Sequence, residues 1–247
     1  MLDKNSNEIS NITIPEDKYA ILDFPKDVSF SDGFTLECWI KHGNYGVLVN
    51  KGGNGNNDGF SLEIRQGVYR FSLQNTETQE KVVLDVPLRD GRNWNHVALT
   101  WDASTKEMSV YSYGEKTSQS LLFEGPIGLN NEIPLMIGRS AGATHYRSLN
   151  SAFSELRIWS VCRSEVNIRD NYKNRIGEQH SDLVLRRGFS QGENDSETKH
   201  PSDNYENVDW LSSNSLPFGP TKYLALENSG KTDRQLRYSL VAVGGME

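Results

Sequence analysis

Apolar and polar residues alternate with period two in short stretches along most of the chain. In GFTLECWIK, Gly33 to Lys41, the alternation puts Phe34, Leu36, Cys38 and Ile40 on one face and Thr35, Glu37, Trp39 and Lys41 on the other. GFSLEIR, VYRFSLQ, HVALTW, EMSVYSY and ELRIWSV repeat the pattern. Successive side chains of a strand point to opposite faces, so these are predicted half-buried strands. Between them lie KGGNGNNDG, RDGRN, DASTK and RSAGATH, clusters whose Gly, Asn and Asp suit turns. The strands are not joined by the long helical crossovers of a parallel sheet, so the expectation is an all-β antiparallel sandwich. Asp102, opening DASTK, is placed to accept backbone amides and to make a hairpin of Trp94–Trp101 and Met108–Tyr113.

One segment departs from this period. In RSEVNIRDNYKNR, Ser164 can cap a short helix in which Ile168 and Tyr172 fall four apart, and Lys173 and Arg175 at its end complement the helix dipole. From Ser190 to Pro217 the chain is polar, with Trp210 and Leu211 as its main apolar anchors, which predicts a long surface excursion. Beyond Gly219-Pro220 strand character returns, and KYLALEN echoes KYAILDF at Lys18 to Phe24. The expected organisation is one domain over 10–218 and a tail over 219–247, either a closing strand or the start of a further unit.

The formal net charge of −7 argues against nucleic acid as a partner, since phosphate backbones require a basic surface. No run reaches the roughly 18 apolar residues of a membrane span, and MLDKNSNEIS lacks the basic region and apolar run of a signal peptide. Cys38 and Cys162 have no metal-ligand spacing, and both are expected to be buried thiols.

Four segments in order carry a resemblance: GFTLECWIK at Gly33 to Lys41, WNHVALTWDASTKEMSVYSYGEK at Trp94 to Lys116, IPLMIGR at Ile133 to Arg139, and FSELRIWSVCRSEVNIR at Phe153 to Arg169. The chain resembles the laminin G-like members of the concanavalin A-like jelly-roll superfamily, over roughly residues 10 to 190. The resemblance implies a jelly-roll β-sandwich with one short helix, and a further strand at LVLRRGF, Leu183 to Phe189. It also implies an extracellular or cell-surface setting within a larger protein.

The stretch NKGGNGNNDGF, Asn50 to Phe60, is rich in glycine and asparagine. It leads into a strand and not a helix, so it is no phosphate cradle. A helix-loop-helix calcium site would need a glutamate where Arg65 stands. Pentraxin-like relatives hold calcium with a loop at this position and an acidic cluster after the IGR strand, but here RSAGATHYRS follows, without a carboxylate. Other laminin G-like domains use one or two acids with backbone carbonyls. Two readings therefore stay open: a turn requiring positive φ, or a weak calcium site at Asn56, Asn57 and Asp58.

The superfamily includes glucan hydrolases, which need two carboxylates about 5 Å apart on one face when they retain configuration. The chain has no Glu-x-Asp-x-x-Glu run, and SLEIRQ and SELRIW carry one acid each, so no enzyme is expected. No serine or cysteine is set in a nucleophile elbow either. What remains is recognition. Arg139, His145, Tyr146 and Arg147 could stack on a sugar or bind its acidic groups, and Trp39 is a further platform if it is uncovered. The expected partner is a glycan or a cell-surface protein, bound through one rim formed by Asn50–Phe60 and Arg139–Ser148. The alternative is an assembly domain of a larger adhesin, toxin or surface protein, contacting other domains of its own chain.

Overall fold

The computed structural model describes residues 12–13, 18–41, 43, 45–52, 59–75, 77–78, 80–89, 94–140, 151–174, 180–187 and 211–212. Within them the strands are β1 Ile12–Thr13, β2 Lys18–Leu22, β3 Gly33–Lys41, β4 Gly46–Lys51, β5 Gly59–Arg65, β6 Val68–Asn75 and β7 Glu80–Pro87. They continue with β8 Trp94–Asp102, β9 Glu107–Ser112, β10 Glu115–Leu122, β11 Leu135–Ile137, β12 Ala152–Trp159, β13 Leu183–Arg187 and β14 Leu211–Ser212. One helix, α1 Glu165–Asn171, follows β12. The boundary expected near 218 lies outside the described residues.

The strands form two antiparallel sheets of seven. Sheet A has the order β1-β12-β3-β8-β9-β10, with β13 also paired to β12. Sheet B has the order β14-β2-β11-β4-β5-β6-β7. The chain switches sheets between β3 and β4, so the inner face of each sheet meets the other. Phe34, Leu36, Cys38 and Ile40 of β3 pack in one cluster with Phe60, Leu62 and Ile64 of β5 and with Val97, Leu99 and Trp101 of β8. The rings of Phe34 and Phe60 are 4.8 Å apart across the sandwich. Burying each such side chain contributes about 1.5–3 kcal/mol. The β8–β9 hairpin forms as expected, with Asp102 Oδ1 accepting from the amides of Ser104 and Thr105 at 2.8 and 3.1 Å.

Two expectations need correction. β3 is buried on both faces, with Thr35 and Glu37 only 0% and 1% exposed, because α1 and the chain at its end lie on the outer side of sheet A, while β13 extends that sheet beside β12. Of the two free thiols, Cys38 is buried as expected but Cys162 is only half-buried. α1 itself follows the prediction: Ser164 accepts from the Asn167 amide at 3.2 Å, and Ile168 is buried against Ala98 and Tyr111.

Register defines two ends of the sandwich. At the head, β3 and β5 begin and β4, β6 and β10 finish. At the foot lie the ends of β3 and β5, the Tyr113-Gly114 turn and the exit from β11.

Candidate functional site

Each outer face carries charge. On sheet A the pairing places Arg157, Glu37 and Ala98 side by side, with His96 one row nearer the foot. Glu37 Oε1 accepts from Trp159 Nε1 at 2.9 Å, and Arg157 Nη1 lies 3.7 Å from the same oxygen. His96 Nε2 stands 3.5 Å from Glu37 Oε2, longer than a good hydrogen bond. Burial alone would raise the Glu37 carboxyl, but His96, Arg157 and Arg163 outweigh it and hold it below its ordinary value. Burial lowers His96 despite the pull of Glu37, so the imidazole is neutral. Arg157 also donates to the carbonyls of Asn171 and Asn174 and so fastens the end of α1. Beyond it, Glu155 receives Arg157 and Arg186. These groups are enclosed under the helix and form a polar second core.

Trp39 lies at the edge of that cover. Its Nε1 donates to the Tyr172 carbonyl at 2.9 Å and its ring stacks on Tyr172 with centroids 5.9 Å apart. It is half-buried, a clasp for the helix end that still shows part of its surface.

The outer face of sheet B differs. Register aligns Ile21, Met136, Asn50, Ser61, Ser72 and Val83 across six strands, and Ser61 Oγ meets Ser72 Oγ at 2.6 Å. One row toward the foot, Val47, Glu63, Arg70 and Asp85 align in the same way. Arg70 grips Asp85 with two bonds of 2.8 Å, and Arg65 reaches Glu63 at 2.6 Å. The side chains of Arg70 and Asp85 are 40% and 30% exposed, so this row is open to solvent. Hydrogen bonding to Asp85 raises Arg70, which remains a cation. Ser61 and Ser72 of the adjoining row are buried, so the accessible donors and acceptors are those of Arg70 and Asp85, which suit hydroxyl groups. Neither Arg70 nor Asp85 was singled out by the sequence pattern.

Of the expected binding residues, Arg139 is 3% exposed, with its guanidinium 5.0 Å from the centre of the Tyr19 ring at the foot of β2. It packs against β2 and does not project to solvent. His145, Tyr146 and Arg147 lie outside the described residues, as do Asn56, Asn57 and Asp58. The single rim expected for the two loops is corrected by register. Met136 pairs with Asn50 and Ile137 with Val49, so the loop after Gly52 leaves from the head while the chain after Gly138 leaves from the foot. The foot loop therefore starts beside the strand that borders Glu63.

At the head, Lys51 Nζ is buried and donates to the carbonyls of Asn130 and Ile133. Burial lowers this ammonium to about 8. Among the described residues no group of three His, Cys, Asp or Glu side chains is arranged to hold a metal, and no helix is long and apolar enough to cross a membrane.

The sequence profile of the laminin G-like family, part of the concanavalin A-like lectin/glucanases superfamily, matches residues 16–169. The chain belongs to this family. The resemblance seen in the four sequence segments is thereby shown, and the laminin G-like domain accounts for all of sheet B except β14 and for most of sheet A. No curated protein matches the chain by sequence. Among solved structures, a candidate carbohydrate-binding protein from Bacteroides ovatus is similar, with a TM-score of 0.59 and 22% identity. That match covers 74% of this chain and 52% of the other. The ligand-binding domain of botulinum neurotoxin serotype D in complex with N-acetylneuraminic acid has a TM-score of 0.54 and 19% identity, covering 68% of this chain and 43% of that one. The laminin G-like chain thus spans about half the length of such structures, and the likeness is one of fold.

Proposed function

We propose that the chain is a non-catalytic glycan-binding module, with its site at the foot of sheet B. The observation that carries this reading is the solvent-open Arg70–Asp85 pair, aligned with Glu63 on the outer face of sheet B. A planar set of fixed donors and acceptors recognises hydroxyl groups at small cost in ordering, because the Arg70–Asp85 pair already holds its geometry. His145, Tyr146 and Arg147, which follow Arg139 in the sequence, are proposed as further contacts to the glycan. Each carboxylate of the row is paired with an arginine, an arrangement suited to binding and not to proton donation. The carbohydrate-binding descriptions of two structurally similar proteins support the reading, and an extracellular or surface setting accords with it.

A glycan array probed with the protein tests this. Binding to a defined set of glycans, reduced at least tenfold by the Arg70→Ala/Asp85→Ala double variant with an unchanged melting temperature, is expected. Binding that the double variant leaves unchanged moves the site elsewhere. No binding to any glycan favours an assembly domain of a larger surface protein. The weak calcium contact through Asp58, with Asn56 and Asn57, is a separate part of the proposal. Gly52 and Gly59, with φ of 82° and 122°, suit a turn, and the buried Lys51 cation beside it opposes a metal. Millimolar calcium should raise the melting temperature by linkage, and Asp58→Ala should erase the rise. An unmoved curve leaves the loop as a turn.

A further inference from the structure

The net charge of −7 is unevenly spread. Connections at the head carry Asp23, Asp27, Asp32, Glu77, Glu124 and Glu132, all exposed. The foot presents Lys41, Arg65, Arg89 and Lys173, also exposed, against Glu115 there and against Lys26 at the head. An acidic protein with a basic end steers anions to that end, which the total charge conceals.

On the sheet A side of the foot, four large rings gather. Trp39 stacks on Tyr172 and meets Tyr113 edge-on at 6.1 Å, while Trp94 lies across from Lys41 in the adjoining strand. All four are half-buried. Gly114, with φ 81°, lets the turn pass beneath Tyr172, since a Cβ there would stand 2.7 Å from Tyr172 Cδ1. The polar handles of this group are turned inward: Trp39 Nε1 donates to the Tyr172 carbonyl and Tyr113 Oη donates to the Trp94 carbonyl at 2.8 Å. For Trp39 and Tyr113 this leaves the rings as the part that can meet a ligand. Around them stand cations, with Arg89 5.8 Å from the Tyr113 centroid and Lys173 5.2 Å from that of Tyr172. Arg89 Nη2 also lies 3.7 Å from Glu115 Oε2 with both side chains exposed, and since exposed ion pairs and cation–ring contacts are weak, either cation can swing to a ligand's anion.

We infer that this aromatic patch, Trp39, Trp94, Tyr113 and Tyr172, ringed by Lys41, Arg89 and Lys173, is a second binding site, for an anionic saccharide. A pyranose lays its C–H face on the rings, and its carboxylate or sulfate is taken by Arg89 and Lys173. The site lies on the opposite sheet from Glu63–Arg70–Asp85 and does not depend on that site being correct.

Binding is measured by tryptophan fluorescence and by shifts of the indole N–H resonances, using three tetrasaccharides: maltotetraose, a polygalacturonate fragment and a heparin-derived fragment. Polyglutamate of similar charge is the control. At least one acidic tetrasaccharide is expected to bind at least tenfold more tightly than maltotetraose and polyglutamate, and to weaken as salt rises from roughly 50 to 500 mM. Arg89→Glu/Lys173→Glu, both exposed and outside the core, should weaken it at least tenfold at unchanged melting temperature. Trp94→Ala should do the same, and Arg70→Ala should leave it unchanged. The uronate and sulfate arms identify the anion. The site is overturned if no acidic tetrasaccharide binds, if polyglutamate binds as well as the sugars do, or if the charge-reversed variant binds like the wild type.

Discussion

The outer faces of the two sheets carry similar chemistry at very different depth. On sheet A, Glu37, His96 and Arg157 are 1–2% exposed; a tryptophan N–H bonds Glu37 and two helix-end carbonyls accept from Arg157. On sheet B, Arg70 and Asp85 are tied by two short bonds, yet 40% and 30% of their side chains meet solvent. The difference is the cover: α1 and the chain at its end lie over the first row. Charges without water must be satisfied internally, so the covered row becomes a structural joint between sheet and helix. Charges that keep water contribute little to stability and remain available to a ligand. Burial, and not the identity of the residues, separates the joint from the candidate site.

The largest effect should come from removing one member of the buried row. Arg157→Met leaves Glu37 without its cation and frees the end of α1, and it should cost about 3–5 kcal/mol in urea unfolding. The double variant Glu37→Leu/Arg157→Met should cost less than the single one, because no uncompensated charge remains. A single-variant cost below about 1 kcal/mol would place the row in the class of surface pairs and break the contrast between the faces.

Much of the scaffold was legible from residue periodicity. Phe34, Leu36, Cys38 and Ile40 alternate cleanly and face the core, and Ser164 caps α1 as its position suggested. The covered face was not legible. Thr35 and Glu37 occupy the polar phase of the alternation, and nothing local tells that a helix some 130 residues later will settle on them. β4, β7 and β10 fall in stretches where the alternation is blurred. Without β7, the partner of Arg70 could not be named, because Asp85 reaches it only through the register of the β6–β7 hairpin. The placement of the two loops at opposite ends likewise follows from the antiparallel β4–β11 pairing, a contact between strands far apart in sequence.

Acid should act on the covered face. His96 has a folded pKa below its ordinary 6.5, so the unfolded chain takes up a proton that the folded one refuses. Its contribution is complete above about pH 6.5 and is lost as pH falls below it. Glu37 is also depressed, so its contribution is lost at still lower pH, as the folded carboxyl is protonated. Both signs agree: stability falls on acidification. Between pH 7.5 and 5 the unfolding free energy should drop by about 1–2 kcal/mol, with the change tracked by Trp39 and Trp159 fluorescence. His96→Gln should be less stable at pH 7.5 but flatter over this range. A pH slope that persists unchanged in the variant would assign it to other groups.

The smallest effect belongs to the open row, and its smallness is the point. A double-mutant cycle on Arg70→Ala and Asp85→Ala should return a coupling of about 0.2–1 kcal/mol, because solvent screens the pair and two side chains lose freedom to form it. The bidentate geometry places the value toward the top of that range at low salt, and high salt should reduce it. The same substitutions should weaken glycan binding tenfold or more, a change far larger relative to their effect on folding. A coupling of 3 kcal/mol or more, the range of a buried pair, would mean that this row is desolvated like the one on sheet A. Sheet B would then have a second structural joint in place of a binding surface.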